Sequence, residues 1–275
     1  MLGKSYALFL SAVLASAVPL IDPTAAPNPP KAALFTSCTV NGTMALTFDD
    51  GPYLWQKNMS DLLTQYNAKG TFFVNGYNWD CIYDEPFASN IQYTYQAGHQ
   101  ICAHTWSHPD LTTLNATRIT QEFNKIDTAL YNILGIKTDW VRPPYGSYNT
   151  AVRQQAYTLN KTLVTWDFEC VGAIFLLFFL TVTRDEDSEG ATAKQSMAYY
   201  DQFLAQNPLP PTGLMLNHET YNTTVFEVMP YAIPKLVKAG YKLVTLAECM
   251  GVEPYTYKGP LGTRDSTWVC PEENN

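Results

Sequence analysis

The chain has 275 residues, enough for one domain with a large core. Charged residues make up 15% of it, aromatic residues 13%, and the formal net charge is −8. This acidic balance disfavours nucleic acid, anionic membrane surfaces and acidic polymers as partners, so a neutral partner fits better.

The N-terminus is predicted to be a secretory signal peptide over residues 1–17. Lys4 precedes an apolar run that ends at Val13, and Ala15-Ser16-Ala17 is a small-residue cleavage site. A buried helix is the alternative, but the Pro/Ala-rich stretch that follows at once disfavours it. Residues 18–37 are predicted to be a flexible lead-in. We therefore expect a secreted, extracellular protein, with cell-wall association as an option.

Alternating strands and helices are predicted along the rest of the chain. The predicted strands are 45–48, 71–74, 162–166, 213–216 and 242–245. The predicted helices are 58–66, 115–134 and 228–238. Such alternation indicates an α/β protein with a parallel, barrel-like sheet. No membrane span is expected.

Two carboxylates follow the predicted strand 45–48. Asp49 and Asp50 would face opposite sides of a regular strand. Gly51-Pro52 ends the strand at once, however, so both carboxylates can turn toward one pocket. The carboxyl end of a parallel barrel strand is where catalytic groups usually lie. A polar turn is the alternative reading.

A second motif, His104-Thr105-Trp106-Ser107-His108, supplies two imidazoles spaced i, i+4. In a helix or a tight turn both rings can reach one ion. Asp50 would complete a two-histidine, one-carboxylate set with room for water and substrate, and Asp49 would remain as a general base. Packing or surface roles for the histidines are the alternative. Together the two motifs predict metal-assisted hydrolysis.

Two later segments supply an arginine and another histidine. An arginine such as Arg142, in Arg142-Pro143-Pro144-Tyr145-Gly146, orients a carboxylate base and keeps it ionised. The prolines stiffen a turn that can aim a backbone N–H at an oxyanion. His218 follows the predicted strand 213–216 and suits a general acid that protonates a leaving amine. His99 is expected to pack in the core or to face solvent.

These four segments resemble four of the five motifs of the family-4 carbohydrate esterases, the polysaccharide deacetylases with a NodB homology domain. The resemblance covers residues 38–251, which we take as one catalytic domain, with 252–275 as a C-terminal tail. It implies a distorted (β/α) barrel and a zinc ion, or another divalent metal such as cobalt. It also implies hydrolysis of an acetyl group on a polysaccharide.

Carried over by position, the resemblance implies a division of roles. Asp49 would be the general base, oriented by Arg142, and His218 would be the general acid. The metal ligands that it implies are Asp50, His104 and His108.

The resemblance implies further groups around the substrate. The backbone N–H of Tyr145 would help to stabilise the oxyanion, and Leu216, also a core residue, would line the pocket for the acetate methyl. Trp79, Tyr145 and Tyr148 are candidates for stacking on sugar faces, with simple packing as the alternative.

The fifth motif departs from the family pattern. The family has an aspartate, after a strand such as Trp166-Asp167-Phe168, that tunes the acid histidine. Glu169 is the best match here, and Asp185 and Asp167 are the alternatives. An apolar run, 174–180, lies between these carboxylates, where it does not suit a loop at a barrel mouth. The apolar stretch is too short for the ~20 residues of a membrane span.

We interpret residues 170–184 as the translation of an unspliced intron. Phe and Leu codons are pyrimidine-rich, like the tract before a 3′ splice site. The codons for Cys170-Val171 can contain GT, and those for Thr183-Arg184 can contain TAG, as at the two ends of an intron. Removing the segment joins Glu169 to Asp185-Glu186-Asp187. A genuine hydrophobic insertion is the alternative, and it would displace the tuning carboxylate.

Cysteines and glycosylation sequons agree with an oxidising compartment. Cys38 and Cys249 bracket the domain and are the first choice for a disulfide, with Cys81 and Cys270 as the second. Cys102 is expected to be a buried thiol. Sequons lie at Asn41, Asn58, Asn115, Asn160 and Asn222.

The resemblance implies a metal-dependent hydrolase that removes N-acetyl groups from the N-acetylglucosamine units of chitin or chito-oligosaccharides and releases acetate. An acetylxylan esterase and a catalytically impaired chitin-binding protein are the alternatives. We expect a monomer that acts on a neutral polysaccharide.

Overall fold

The computed structural model describes residues 30–169, 192–206 and 212–270. The predicted signal peptide and the segment 170–184 lie outside the described residues, so the interpretations of both remain predictions. Within the described ranges, no helix is both long enough and apolar enough to cross a membrane.

Eleven strands and seven helices make up the described fold. The strands are β1 Leu34–Phe35, β2 Thr43–Gly51, β3 Gly70–Val74, β4 Gln100–Ala103, β5 Ile136–Lys137, β6 Trp140–Val141, β7 Thr162–Val164, β8 Phe168–Glu169, β9 Gly213–His218, β10 Lys242–Leu243 and β11 Tyr257–Lys258. The α-helices are α1 Gln56–Gln65, α2 Phe87–Gln96, α3 Ala116–Leu134, α4 Thr150–Thr158, α5 Ala193–Gln206, α6 Met229–Lys238 and α7 Leu246–Met250.

Nine of these strands form one parallel sheet. Its order is β1-β7-β6-β4-β3-β2-β9-β8, and β10 pairs with the first residues of β2. The edge strands β1 and β8 do not pair with each other in the described part of the chain, so the sheet is a curved, open barrel. This confirms the predicted distorted (β/α) barrel. β11 pairs with β5 in a separate antiparallel ribbon.

The central strand β2 is buried along its whole length, as expected for a parallel strand that is covered on both faces. The amphipathic helix α3 covers the sheet from outside. The Asn115 side chain caps its start by accepting the Arg118 N–H at 3.0 Å, and Gly135 ends it with a φ of 68°. These capping residues explain why this helix was predicted nearly to the residue.

The barrel interior is filled by apolar side chains and is closed at its amino-terminal end by α7. Leu246 and Cys249 of α7 belong to the same buried cluster as Phe73 and Cys102. Burial raises the pKa of the Cys102 thiol, which is a free cysteine as expected. The two expected disulfides, Cys38–Cys249 and Cys81–Cys270, are both present.

Most of the predicted C-terminal tail packs against the domain. β11 pairs with β5, and the Gly262 N–H donates to the Ile133 carbonyl near the end of α3 at 3.0 Å. Trp268 is buried in the main hydrophobic cluster. Residues 252–270 therefore cover one end of α3.

Candidate active site

Asp49 and Asp50 lie inside β2, which continues to Gly51. The pairing of β2 with β3 shifts register between Phe48 and Gly51, and Asp50 has a φ of 67°. This bulge cancels the alternation of a regular strand. As a result both carboxylates face His104, whose Nε2 lies 3.7 Å from Asp49 Oδ2 and 3.5 Å from Asp50 Oδ1.

The segment that carries His104 and His108 is a loop after β4, not the helical turn that was one of our expectations. Thr105 and His108 have positive φ values, 71° and 56°. The two imidazole centroids are 5.0 Å apart. The loop therefore brings both rings together through unusual backbone angles rather than through helical spacing.

Two side chains that the sequence analysis did not select hold this loop. Asn75, just after β3, donates from Nδ2 to the His104 carbonyl at 2.5 Å. The buried Glu122 carboxylate, on α3, accepts the backbone N–H groups of Trp106 at 2.9 Å and Ser107 at 2.8 Å. It also accepts the Ser107 hydroxyl at 2.9 Å. The loop is thus held from both sides by buried polar groups.

Asp50, His104 and His108 form a group that fits a divalent metal. Asp50 Oδ1 lies 3.1 Å from His108 Nε2, and the three candidate ligand atoms are all within 4.8 Å of one another. His104 Nδ1 lies 2.7 Å from the carbonyl oxygen of Arg142. Because that carbonyl can only accept, Nδ1 carries the proton and Nε2 is left as a ligand. Two imidazoles and one carboxylate suit zinc or a similar ion.

The electrostatics of the group favour a cation. Burial would raise the pKa of Asp50, but hydrogen bonds with His104 and His108 outweigh it and hold that pKa well below its usual value. Burial would lower the pKa of His104, but the charges of Asp49 and Asp50 outweigh it and raise the pKa. Positive charge is therefore stabilised between these side chains.

Arg142 orients Asp49. Its Nη1 donates to Asp49 Oδ1 at 2.7 Å and to the Thr47 hydroxyl at 2.6 Å, and its Nη2 donates to the Thr165 carbonyl at 3.0 Å. The guanidinium is fully buried and lies 4.1 Å above the Phe73 ring. Because Oδ1 is occupied by Arg142, Oδ2 is the oxygen of Asp49 that faces His104.

The turn that contains Tyr145 lies beside the histidines. Tyr145 has a φ of 59°, and its ring centroid is 4.7 Å from that of His108. Gly146 also has a positive φ, and a Cβ there would come within 2.8 Å of the Trp166 ring. Glycine is therefore required for the turn to pack on Trp166.

His218 and Leu216 reach the same pocket from β9. In the pairing of β2 with β9, His218 lies opposite Asp49 and Leu216 lies opposite Thr47. Residues two apart on a strand share a face, so His218 and Leu216 point to the same side. Both are almost completely buried.

Glu219 is a buried carboxyl group that the sequence analysis did not select. Its carboxylate fills the space beside Gly51, where a Cβ would come within 1.7 Å of Oε1. Burial, together with the nearby charge of Asp50, raises the pKa of Glu219 well above its usual value. Any larger residue at position 51 would therefore displace a side chain next to the candidate metal-binding group.

Two of the three candidates for the carboxylate that would tune His218 lie within the described residues. Glu169 pairs through its main chain with Leu216, which places it on the strand beside the one that carries His218. The Asp167 carboxylate accepts the N–H of Leu214 in β9 at 2.6 Å, so it stabilises the sheet. Asp185 lies outside the described residues. The choice of Glu169 stays a prediction.

The remaining residues that the sequence analysis selected differ in their exposure to solvent. Trp79 and Tyr148 are exposed, whereas His99 is buried and lies between the Ser60 carbonyl and the Gly70 N–H. All five sequon asparagines are exposed: Asn41, Asn58, Asn115, Asn160 and Asn222.

An open parallel barrel that carries this set of groups at the carboxyl ends of its strands is typical of a hydrolase of the carbohydrate esterase type. Comparison with known proteins agrees. Residues 36–164 match the polysaccharide deacetylase family. The chain belongs to this family.

Two curated relatives and one solved structure illustrate the similarity. A chitin deacetylase of Pestalotiopsis sp. is 35% identical over 81% of this chain and 68% of its own length. A chitin deacetylase of Arthroderma benhamiae is 34% identical over 81% of this chain, which spans only 55% of that relative. The structure of the chitin deacetylase from Colletotrichum lindemuthianum matches with a TM-score of 0.73 and 26% identity, covering 82% of this chain and 96% of that one.

Proposed function

We propose that the protein is a metal-dependent chitin deacetylase. It would hydrolyse the N-acetyl groups of N-acetylglucosamine units in chitin or chito-oligosaccharides and release acetate. The observation that carries the proposal is the pairing of Asp49, held by Arg142, with His218 on the adjacent strand, beside the group of Asp50, His104 and His108. The chitin deacetylase relatives supply the substrate class.

Asp50, His104 and His108 would hold the metal, with zinc as the first choice and cobalt as another option. When bound, a divalent metal supplies Lewis acidity to the acetyl carbonyl and makes a nearby water more acidic. Every other step can be assigned to side chains and backbone groups of this chain.

Asp49 would act as the general base. Arg142 fixes Oδ1, and Oδ2 faces the metal-binding group. Asp49 would take a proton from the attacking water, and the resulting hydroxide would add to the acetyl carbonyl carbon. The guanidinium holds the Asp49 carboxylate in one orientation, with Oδ2 free to act as the base.

His218 would act as the general acid. It would give a proton to the amide nitrogen as the C–N bond breaks, so that acetate and a free amine leave. In the register of β9 with β2, His218 lies opposite Asp49, the proposed base. An acid and a base on adjacent strands can thus serve the two sides of one carbonyl. Glu169 is the proposed carboxylate that tunes His218.

Tyr145 and Leu216 would complete the pocket. The backbone N–H of Tyr145 would stabilise the developing oxyanion, and the contact of its ring with His108 supports this location. The buried Leu216, on the same face as His218, would contact the acetate methyl. Trp79 would contact the sugar.

The protein's setting is proposed on similar grounds. Two disulfides and five exposed sequon asparagines support a secreted glycoprotein that acts outside the cell. A monomer is proposed as well. No observation favours the acetylxylan esterase.

The Asp49→Asn variant tests the proposal. It should keep zinc and oligosaccharide binding and lose acetate release, because only the base is removed. Retained turnover would refute Asp49 as the base.

A further inference from the structure

Four aromatic side chains form a row on the surface beside the candidate active site. In order they are Trp79, Tyr53, Trp55 and Phe226, with successive ring centroids 5.7, 5.0 and 6.1 Å apart. The two end rings are about half exposed, 54% for Trp79 and 52% for Phe226. We call this row the aromatic ridge.

The aromatic ridge is built from segments that follow three neighbouring strands. One of its residues, Phe226, lies in a π-helical turn, Thr224–Val228, that leads into α6. Trp79 follows β3, Tyr53 and Trp55 follow β2, and Phe226 follows β9. These strands are adjacent in the order β3-β2-β9. Because the carboxyl ends of parallel strands share one edge, the ridge lies along the edge that carries Asp49 and His218.

Each of the three segments also lies next to the site. Tyr53 is three residues after Asp50 in the chain. In the β3 loop, the Tyr77 N–H donates to the Trp106 carbonyl, inside the metal-binding loop, at 2.7 Å. In the β9 loop, the Tyr221 ring lies 6.1 Å from the His218 ring. The segments that carry the ridge therefore adjoin the proposed active site.

The chemistry of the ridge indicates its occupant. Large exposed apolar surfaces on a protein commonly mark binding sites, and the neighbouring Leu54 and Tyr77 are exposed as well. Aromatic faces contact the apolar C–H faces of sugars without needing charge. An uncharged ridge on an acidic protein suits a neutral polysaccharide.

We propose that the aromatic ridge binds the sugar units next to the one that is deacetylated, so that affinity grows with the length of the chain. Tyr53, Trp55 and Phe226 would extend the contact that Trp79 makes. This inference rests on the proposed function, because the polymer is taken to enter the site described above. The Cys81–Cys270 disulfide ties the loop of Trp79 to residues near the C-terminus.

Binding can be measured apart from turnover with the Asp49→Asn protein. Titration calorimetry would compare the dimer and the hexamer of N-acetylglucosamine against this background, alone and with Phe226→Ala or Trp55→Ala added. The matched control is Tyr131→Ala, which removes an exposed ring from α3, outside the ridge. Asn58 and Phe226 line one groove of about 270 Å³, so N-glycans are removed from every variant first.

The hexamer should bind more tightly than the dimer. Phe226→Ala should weaken hexamer binding about fivefold, the size expected for one aromatic contact, and leave dimer binding unchanged. Tyr131→Ala should change neither. Should Trp55→Ala fail to fold, the half-exposed Phe226 still provides the test.

Equal affinity for dimer and hexamer would overturn the ridge proposal, as would hexamer binding that survives loss of Phe226. If Phe226→Ala lowers only the melting temperature, the ridge merely packs loops together. Length-dependent binding that requires the ridge, in a wild-type protein that releases no acetate, would support the ridge and refute the proposed function. Acetate release together with equal binding of the dimer and the hexamer would support the proposed function and refute the ridge proposal.

Discussion

Arg142 contacts His104 through its main chain and Asp49 through its side chain. Its carbonyl lies 2.7 Å from His104 Nδ1, while its Nη1 donates to Asp49 Oδ1 at 2.7 Å. One residue therefore sets the tautomer of a proposed metal ligand and the orientation of the proposed base. Because the two contacts use different atoms, substitution can separate them.

Arg142→Lys should lower kcat about 100-fold and leave zinc affinity nearly unchanged. The lysine keeps the carbonyl that accepts from His104 but cannot reproduce the planar guanidinium contacts to Asp49, Thr47 and Thr165. Acetate release and zinc competition with a chromogenic chelator measure the two effects. Arg153→Lys is the control, since among the described residues the Arg153 side chain donates only to the Ala32 carbonyl, at the edge of the fold. If Arg142→Lys also lost zinc affinity, the two contacts of Arg142 would not be separable.

Glu122→Gln should weaken zinc binding about 10-fold to 100-fold, the range typical of groups that orient metal ligands. The amide oxygen can still accept both N–H groups of Trp106 and Ser107, but the amide nitrogen cannot accept from the Ser107 hydroxyl. The loop between His104 and His108 is therefore held less firmly. Zinc titration of the folded apoprotein is the measurement.

Glu248→Gln is the matched control for Glu122→Gln. The Glu248 carboxylate also accepts a backbone N–H and a hydroxyl, both from Thr245, but it caps α7 at the other end of the barrel. It should lower the melting temperature and leave zinc affinity unchanged. Equal zinc affinity in the two variants would show that Glu122 only stabilises the fold.

His99 should make the apoprotein less stable as the pH falls from 6.5 toward 4. Burial, with the charge of Lys69, lowers its pKa from 6.5 to about 4. The unfolded state therefore binds more protons in this window, and up to about 3 kcal/mol of stability is lost as pH falls. The test compares urea unfolding of chelated wild-type and His99→Gln proteins at both ends of the window. Identical pH slopes for the two would disprove this assignment.

Sequencing of the mature transcript should show that the codons for residues 170–184 are absent. The described strand β8 pairs with β9 as far as Glu169, and α5 begins at Ala193. The shorter chain would join these two elements through an acidic segment without an apolar run. A mature message that retains the segment would rule out the intron interpretation.

Much of the site followed from the sequence because its chemistry is carried by short motifs at strand ends. That Asp50 and His104 lie close together could be predicted from residue type and spacing alone. The way in which Asp49 and Asp50 converge could not, since the bulge depends on the register with β3. Glu122 was missed because a carboxylate within a helix carries no motif, and only the tertiary fold brings it to the loop.

The fold was predicted best where helices have clear capping residues. Asn115 and Gly135 mark both ends of α3. By contrast β4, a strand of four buried residues, has too little sequence to show a pattern, and its conformation is set by pairing with β3 and β6. Helix α2 was also not predicted; its start at Phe87 lacks a side-chain cap.

Acetate release from N-acetylglucosamine oligomers, measured before and after chelation, tests the central claim most directly. We would use glycan-free protein without residues 170–184. The account predicts release that stops with chelator and returns with zinc, and that is absent from the Asp49→Asn variant. A folded, zinc-loaded protein that releases no acetate would contradict it.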